Sequence, residues 1–259
     1  MGYNLTQHID IALVVMNAFF VFFFALVVYL QREGRREGYP LEHELTGRIE
    51  SEGGPLHTPS RKAFRLPFGQ GLVYVPSLER DPVKLPARRT DYGAGSPIEP
   101  TGNPLVDGIG PAAWANRAKH PDLDWEGHAR IVPMHTTPEF SIAGRDADPR
   151  GYNVIAAGGA IVGKVSELWI DKADRLIRYL QVSVHGENAR EVLAPMMMAT
   201  VRRRTATVTI DAIVSGQWDQ APGMPEGGTV ITLYEEERVQ AYFGGGYLYA
   251  TPERAEPLL

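Results

Sequence analysis

From Ile11 to Leu30 the chain runs for twenty positions with no Asp, Glu, Lys or Arg and with one amide, Asn17. At 1.5 Å rise per residue such a helix is about 30 Å long, the thickness of a bilayer's hydrocarbon core. Fourteen of the twenty are Leu, Ile, Val or Phe. Their summed insertion free energy, about −4 to −8 kcal/mol on a biological scale, outweighs the single amide. A segment of this kind folds as a membrane-spanning helix. A cleaved leader is the competing reading, but no Lys or Arg precedes Arg32, the apolar core is too long for a leader, and no small-x-small site follows. Of the charged residue types only Asp10 lies before the span, whereas Arg32, Arg35 and Arg36 follow it at once. The positive-inside rule then places the N-terminus outside and the rest of the chain in the cytoplasm. Asn17 either bonds to a neighbouring helix or is a tolerated lone amide.

Beyond the span the sequence divides by composition. Residues 1–10 form a short periplasmic start, 11–30 the span, 31–128 a membrane-surface connector and extended segment, and 129–259 a cytoplasmic β domain. Within the connector, Phe64–Pro67 and Leu72–Val75 flank a Gly69-Gln70-Gly71 turn, which predicts a hairpin. Between Pro76 and Pro111 prolines and glycines are dense, which predicts extended coil draped over another protein. From Ala129 the period becomes two: Leu180, Val182 and Val184 alternate with Gln181 and Ser183, and Val208, Ile210 and Ala212 alternate with threonines and Asp211. Strands are expected at Arg130–Pro133, Asn153–Ala157, Val162–Ile170, Ile177–Val184, Arg190–Ala194, Thr205–Val214 and Thr229–Leu233, closing into a small barrel or sandwich. Glu235–Tyr242 reads as a short helix with an acidic first turn, stopped by Gly244-Gly245-Gly246. The fold class is therefore a single N-terminal transmembrane helix followed by a mainly β domain with a short C-terminal helix.

Several motifs then carry a resemblance. They are Arg36-Glu37-Gly38-Tyr39-Pro40-Leu41 after the span, Pro100-Thr101-Gly102-Asn103-Pro104, Gly110-Pro111-Ala112-Ala113-Trp114 and Asp148-Pro149-Arg150-Gly151. Gly163-Lys164-Val165 leading to Leu168-Trp169-Ile170-Asp171, and Gly244-Gly245-Gly246-Tyr247-Leu248-Tyr249-Ala250, complete the order. Together they resemble the H subunit of the purple bacterial photosynthetic reaction centre over nearly the whole chain, with a PRC-barrel from about Ala129 to Leu248. The resemblance implies a subunit of the inner (intracytoplasmic) membrane that is not an enzyme. It would cap the cytoplasmic face of the L and M subunits, which hold bacteriochlorophyll, bacteriopheophytin, two quinones and a non-haem iron. It implies no cofactor and no metal on this chain, whose seven histidines are scattered. A cytochrome subunit and a light-harvesting ring would be partners in the larger complex.

Reduction of a secondary quinone takes up protons, so an enclosing subunit needs groups that load them near neutral pH. Clustered carboxylates repel one another, which raises some of their pKa values, and imidazole titrates in that range. Two clusters qualify. Asp122, Asp124, Glu126 and His128 fall within seven residues and match the family's surface proton intake, with Glu126 standing where relatives commonly place a histidine. Asp171 ends a predicted strand and Asp174 lies in the turn after it, with Arg178 expected either to hold one of them ionised or to anchor it to the L and M subunits; relatives often carry Glu at the position of Asp174. Arg32, Arg35 and Arg36 are expected to attract anionic lipid headgroups at about 1 kcal/mol each.

The remaining signals are weaker. Glu235-Glu236-Glu237 reads first as an acidic helix start, with proton buffering as the second reading, Met196-Met197-Met198 as apolar packing, Arg202-Arg203-Arg204 as an exposed turn or an ion-pair donor, and Asn4-Leu5-Thr6 as a short, common glycosylation pattern. A net charge of −5 argues against nucleic-acid binding, and the lack of cysteine excludes disulfides and thiolate chemistry. An anchored hydrolase lacks both a G-x-S-x-G and a phosphate-binding loop. The alternative to a reaction-centre subunit is a membrane-tethered PRC-barrel adaptor that binds a protein or RNA partner.

Overall fold

The computed structural model describes residues 10–39, 41–48, 59–77, 84–186, 189–225 and 227–255. The segment before Asp10, with Asn4-Leu5-Thr6, and Pro40 of the first family motif lie outside them. Contacts divide the chain into two units, Met1–Val83 with Tyr92–Ser96, and Lys84–Asp91 with Pro97–Leu259.

The first unit is built on α1 (Ile11–Glu33), which continues through a 3-10 turn to Arg36. Asp10 caps it by accepting from the N–H groups of Ala12 and Leu13 at 2.9 and 3.3 Å, satisfying donors that no helical carbonyl reaches. No residue of α1 is buried in protein, and the stretch Ile11–Arg36 is long and apolar enough to cross a membrane. Asn17 donates to the Leu13 carbonyl one turn back at 2.9 Å, which satisfies one of its two amide hydrogens within the helix. The expected hairpin is present as β1 (Lys62–Arg65) and β2 (Leu72–Val75). Arg36 ties it to the helix end: its guanidinium bonds Glu33 at 2.7 Å and the carbonyls of Ser60 and Val75 at 2.8 and 3.3 Å.

The second unit opens with the hairpin β3 (Ala87–Arg89) and β4 (Ile98–Pro100), then the single turn α2 (Pro104–Asp107), capped by Asn103. The Pro76–Pro111 stretch is thus not unbroken coil. Among the described residues its prolines sit at strand ends and helix N-termini, where a missing N–H costs little. Seven strands follow in one sheet: β5 (Ile131–Pro133), β6 (Asn153–Ala157), β7 (Ile161–Asp171), β8 (Leu176–Val184), β9 (Arg190–Pro195), β10 (Thr200–Arg202) and β11 (Thr207–Val214). The ladder runs β10-β11-β6-β7-β8-β9, antiparallel except for the parallel pair β11–β6. Its outermost strands, β9 and β10, are joined by the one-turn 3-10 segment Met196–Met198, so the sheet curls on itself. β7 is long enough to serve two partners on one edge, β6 along its first half and β5 along Trp169–Asp171.

Trp169, Tyr179, Leu180, Ile210 and Val208 are all fully buried, with Leu180 on one face of β8 and Tyr179, paired with Trp169, on the other. Each large side chain so removed from water contributes about 1.5–3 kcal/mol. α3 (Leu233–Tyr249) covers this core, with Phe243 edge-on to Trp218 at 5.5 Å.

Two sequence expectations fail at α3. Thr229–Leu233 is not a strand: Thr232 is the N-cap, accepting from the Glu235 N–H while the Glu235 carboxylate accepts from the Thr232 N–H. Nor do the glycines end the helix, which runs through them to Tyr249. A Cβ on Gly246 would collide with the Ala212 carbonyl, and one on Gly245 with Ala112. The glycines are where the helix meets neighbouring backbone.

Candidate functional site

The pairing of β5 with the end of β7 builds the site. Ile131 lies opposite Asp171, so Arg130, one step before β5, stands beside the β7–β8 turn. The Arg130 N–H donates to the Asp122 carbonyl and its own carbonyl accepts from the Lys172 N–H, at 2.9 and 3.0 Å. Backbone contacts on both sides therefore aim its side chain. Three carboxylates meet the guanidinium: Asp171 through Nε at 2.8 Å, Asp122 at 3.3 Å and Asp174 at 2.5 Å. Next to them Lys172 reaches back to Asp124 at 3.0 Å. The two clusters read separately in the sequence are one cluster in space, with Arg130 and Lys172 as its joints.

Asp171 is the buried centre, with no exposed surface. Its Oδ1 accepts from Arg130 and from the N–H groups of Ala173 and Asp174, while Oδ2 has no hydrogen-bond partner among the described residues. Burial opposes its ionisation, but Arg130 and the two amides outweigh that and hold the carboxyl below the usual aspartate range. Asp124 is lowered to about 2, chiefly by the His128 N–H and by Lys172. Burial works against the charge of Arg130, yet its Asp171 bond holds it ever more firmly protonated. Asp124 and Asp171 are held down by cations and backbone amides rather than raised by neighbouring acids, the reverse of what the clustering of acids suggested, and both stay ionised at neutral pH.

The outer members lie at the rim. His128 is exposed, with Nδ1 at 3.6 Å from Glu126 and 3.9 Å from Asp124. Arg178 pairs with neither Asp171 nor Asp174 among the described residues; Arg130 takes that part. It lines a cleft of about 420 Å³ together with Asp122, Arg130, Asp171, Tyr179 and Glu236. Glu236, in the first turn of α3, accepts a hydrogen bond from the Tyr179 hydroxyl at 3.0 Å, and that hydroxyl accepts from Gln240 at 3.4 Å. Burial raises the Glu236 carboxyl above its usual range; Tyr179 and Arg178 lower it, and the Asp122 and Asp171 charges push it up. It is the one cleft carboxyl whose shift favours holding a proton. The other two glutamates of the run are spent differently, Glu235 in the helix cap and Glu237 in a 3.0 Å pair with Arg117.

At the end of α1 the three arginines differ. Arg32 is exposed, Arg35 lies over the Tyr39 ring at 5.1 Å, and Arg36 is committed to Glu33 and the hairpin. Of the Met196-Met197-Met198 run, Met196 and Met198 pack against the core, but Met197 is 81% exposed at the cleft. No three His, Asp or Glu side chains converge to hold a metal among the described residues.

Residues 3–136 match the family described as photosynthetic reaction centre, H-chain N-terminal region, which is more than half of the 259-residue chain. The chain belongs to that H-chain family. Residues 143–216 match the PRC-barrel domain, the span that holds β6 to β11. This H chain is thus a non-enzymatic structural subunit of a photosynthetic reaction-centre complex, and its partners are the other members of that complex. The acidic cluster straddles the two matched regions, with Asp122, Asp124 and Arg130 in the first and Asp171, Lys172 and Asp174 in the second.

Proposed function

We propose that this H chain closes the cytoplasmic face of the L and M subunits, keeps bulk water from their quinone sites, and conducts protons toward the secondary quinone. The observation that carries the proposal is the cleft in which Glu236 and Tyr179 share a hydrogen bond beside the Arg130 cluster. Exposed His128 and Glu126 collect protons from solvent. The ionised carboxylates of Asp124 and Asp171, with Asp122 and Asp174 beside them, lower the energy of a proton near the rim, and Arg130 and Lys172 keep these acids from trapping it. Glu236 receives the proton, and the Tyr179 hydroxyl orients the carboxyl. Arg178 limits how far its pKa rises, so that the proton is released as well as bound.

In this reading the bacteriochlorophyll, bacteriopheophytin, quinones and non-haem iron all reside on partner subunits, which supply the redox chemistry. The N-terminus is periplasmic, residues 31–128 run along the membrane and partner surface, and residues 129–259 are cytoplasmic. Arg32 and Arg35 meet anionic headgroups, while Arg36 braces the hairpin. The H-chain match favours this over a free-standing adaptor. The test is Glu236→Gln in the intact complex, followed by flash kinetics. Proton-coupled transfer of the second electron should slow several-fold while primary charge separation is unchanged. Unaltered second-electron kinetics across pH 6 to 9 would remove Glu236 from the route.

A further inference from the structure

A second cleft, of about 590 Å³, opens on another part of the sheet unit. Its volume lies within the roughly 300–1,000 Å³ typical of small-molecule sites, and its lining follows their pattern of apolar walls with a few polar groups. Met134 and Ile170 form its buried floor, and Phe140, Ile142, Ile177 and Met196 its half-buried walls. The rim is cationic. Arg145 comes from the loop after Phe140, Arg175 from the β7–β8 turn and Arg203 from the β10–β11 turn, against a single acid, Asp146. None of the three arginines makes an ion pair or a side-chain hydrogen bond among the described residues. Elsewhere in the unit Arg130, Arg150 and Arg117 are each matched to a carboxylate. In a chain of net charge −5, three loops have delivered three uncompensated guanidiniums to the mouth of one apolar cavity.

An occupant must satisfy both features at once. A neutral apolar molecule would leave the guanidiniums unanswered, and a compact inorganic anion would leave the walls bare. We infer that this cleft binds a single-chain amphiphile with an anionic head, the acyl chain lying along Phe140, Ile142 and Ile177 and the head meeting Arg145, Arg175 and Arg203. A carboxylate and a phosphate head share this chemistry, since guanidinium presents paired donors to both. A chain anchored in a bilayer by α1 has such molecules within reach. The inference is independent of the proton route, because neither Glu236 nor any residue bound to Arg130 lines this cleft.

The experiment uses the full chain in neutral detergent with a palmitic acid carrying a photoreactive diazirine in its acyl chain, and maps the adducts by peptide mass spectrometry. Adducts are expected within residues 140–149 and 176–184. The methyl ester of the same probe should label at least tenfold less. Competition by unlabelled palmitate against lysophosphatidylglycerol separates the carboxylate source from the phosphate source. Arg145→Gln/Arg175→Gln/Arg203→Gln should reduce labelling at least tenfold. Ile142→Trp, which fills the cavity and leaves the cations in place, should do the same with an unchanged melting temperature. Equal labelling by the ester, labelling confined to α1, or labelling that neither variant reduces would overturn the inference. So would loss of labelling in the assembled complex with a polypeptide cross-linked at position 142 instead, because the cleft would then be a protein contact.

Discussion

Replacing Arg130 by methionine tests the central feature of the cluster. The substitution keeps most of the side-chain volume and removes the charge that faces fully buried Asp171. Taking one partner from a buried ion pair costs about 3–5 kcal/mol, because the other charge is left in a poor solvent. Asp171 keeps two backbone donors, which places the loss near the lower end, about 3 kcal/mol. The arms to Asp122 and Asp174 are half exposed and add little. For a unit of this size about 3 kcal/mol corresponds to a fall of roughly 6–12 °C in Tm, read by circular dichroism on the full chain in neutral detergent.

The pH dependence is the sharper readout. In the native chain Asp171 has a folded pKa below its unfolded value. It therefore contributes stability above that unfolded value, and the contribution is lost as pH falls through the folded one. Without Arg130, burial is opposed only by the Ala173 and Asp174 N–H groups, and the folded pKa rises. The variant is then penalised at pH 7, and the penalty fades as the carboxyl protonates toward pH 4. The gap between native chain and variant should narrow on acidification, and Arg130→Met/Asp171→Asn should recover more than half of it at pH 7. A fall below about 2 °C at pH 7, a gap unchanged between pH 7 and 4.5, or no recovery in the double variant would refute the argument.

Other substitutions follow from the same geometry. Gly246→Ala sets a methyl group against the Ala212 carbonyl and should destabilise the sheet unit by about 1–3 kcal/mol. Gly244→Ala, with only Met198 Cε at 3.9 Å, should be neutral or stabilising by up to about 1 kcal/mol in a thermal melt. Asp174→Asn removes one of the three carboxylates on Arg130 and should slow proton-coupled second-electron transfer in the intact complex, with primary charge separation unchanged. Unchanged kinetics, including at raised pH, would take Asp174 off the route. Asp124→Asn and His128→Ala should each slow proton uptake modestly and the double variant by more than the sum, since they serve one rim; strictly additive losses would show independent intakes.

The alternation of Leu180, Val182 and Val184 with Gln181 and Ser183 was legible because this part of β8 has one buried face, and the structure buries those three. The span was legible because lipid imposes a length and a composition that few other environments demand. Arg130 was not. Its partners lie 8, 41 and 44 positions away; the Leu123–Ala129 bridge brings the first and the Ile131–Asp171 register the other two. Arg178, four positions from Asp174, looked the better partner but faces Glu236. The glycine run was misread because helix propensity is local, while the close approach to Ala212 that requires Gly246 is tertiary. Thr229–Leu233 misled through its β-branched residues, although Thr232 with Glu235 three residues on is a capping pair visible in the sequence. In the sequence a proton-buffering role falls on the run Glu235-Glu236-Glu237 as a whole, since nothing local separates Glu236 from its neighbours; burial against Tyr179 does.

The parallel register of β6 with β11 has a temporal consequence. Val154 finds its neighbour in Val208, so the margin of the sheet at Asn153–Ala157 stays bare while β7, β8 and β9 add one after another as hairpins. Only when the final strand has left the ribosome can that margin be zipped shut, and α3, which rests on that strand, must dock later still. A nascent chain paused between the two would expose an unfinished strand edge, where pairing with another chain is the hazard.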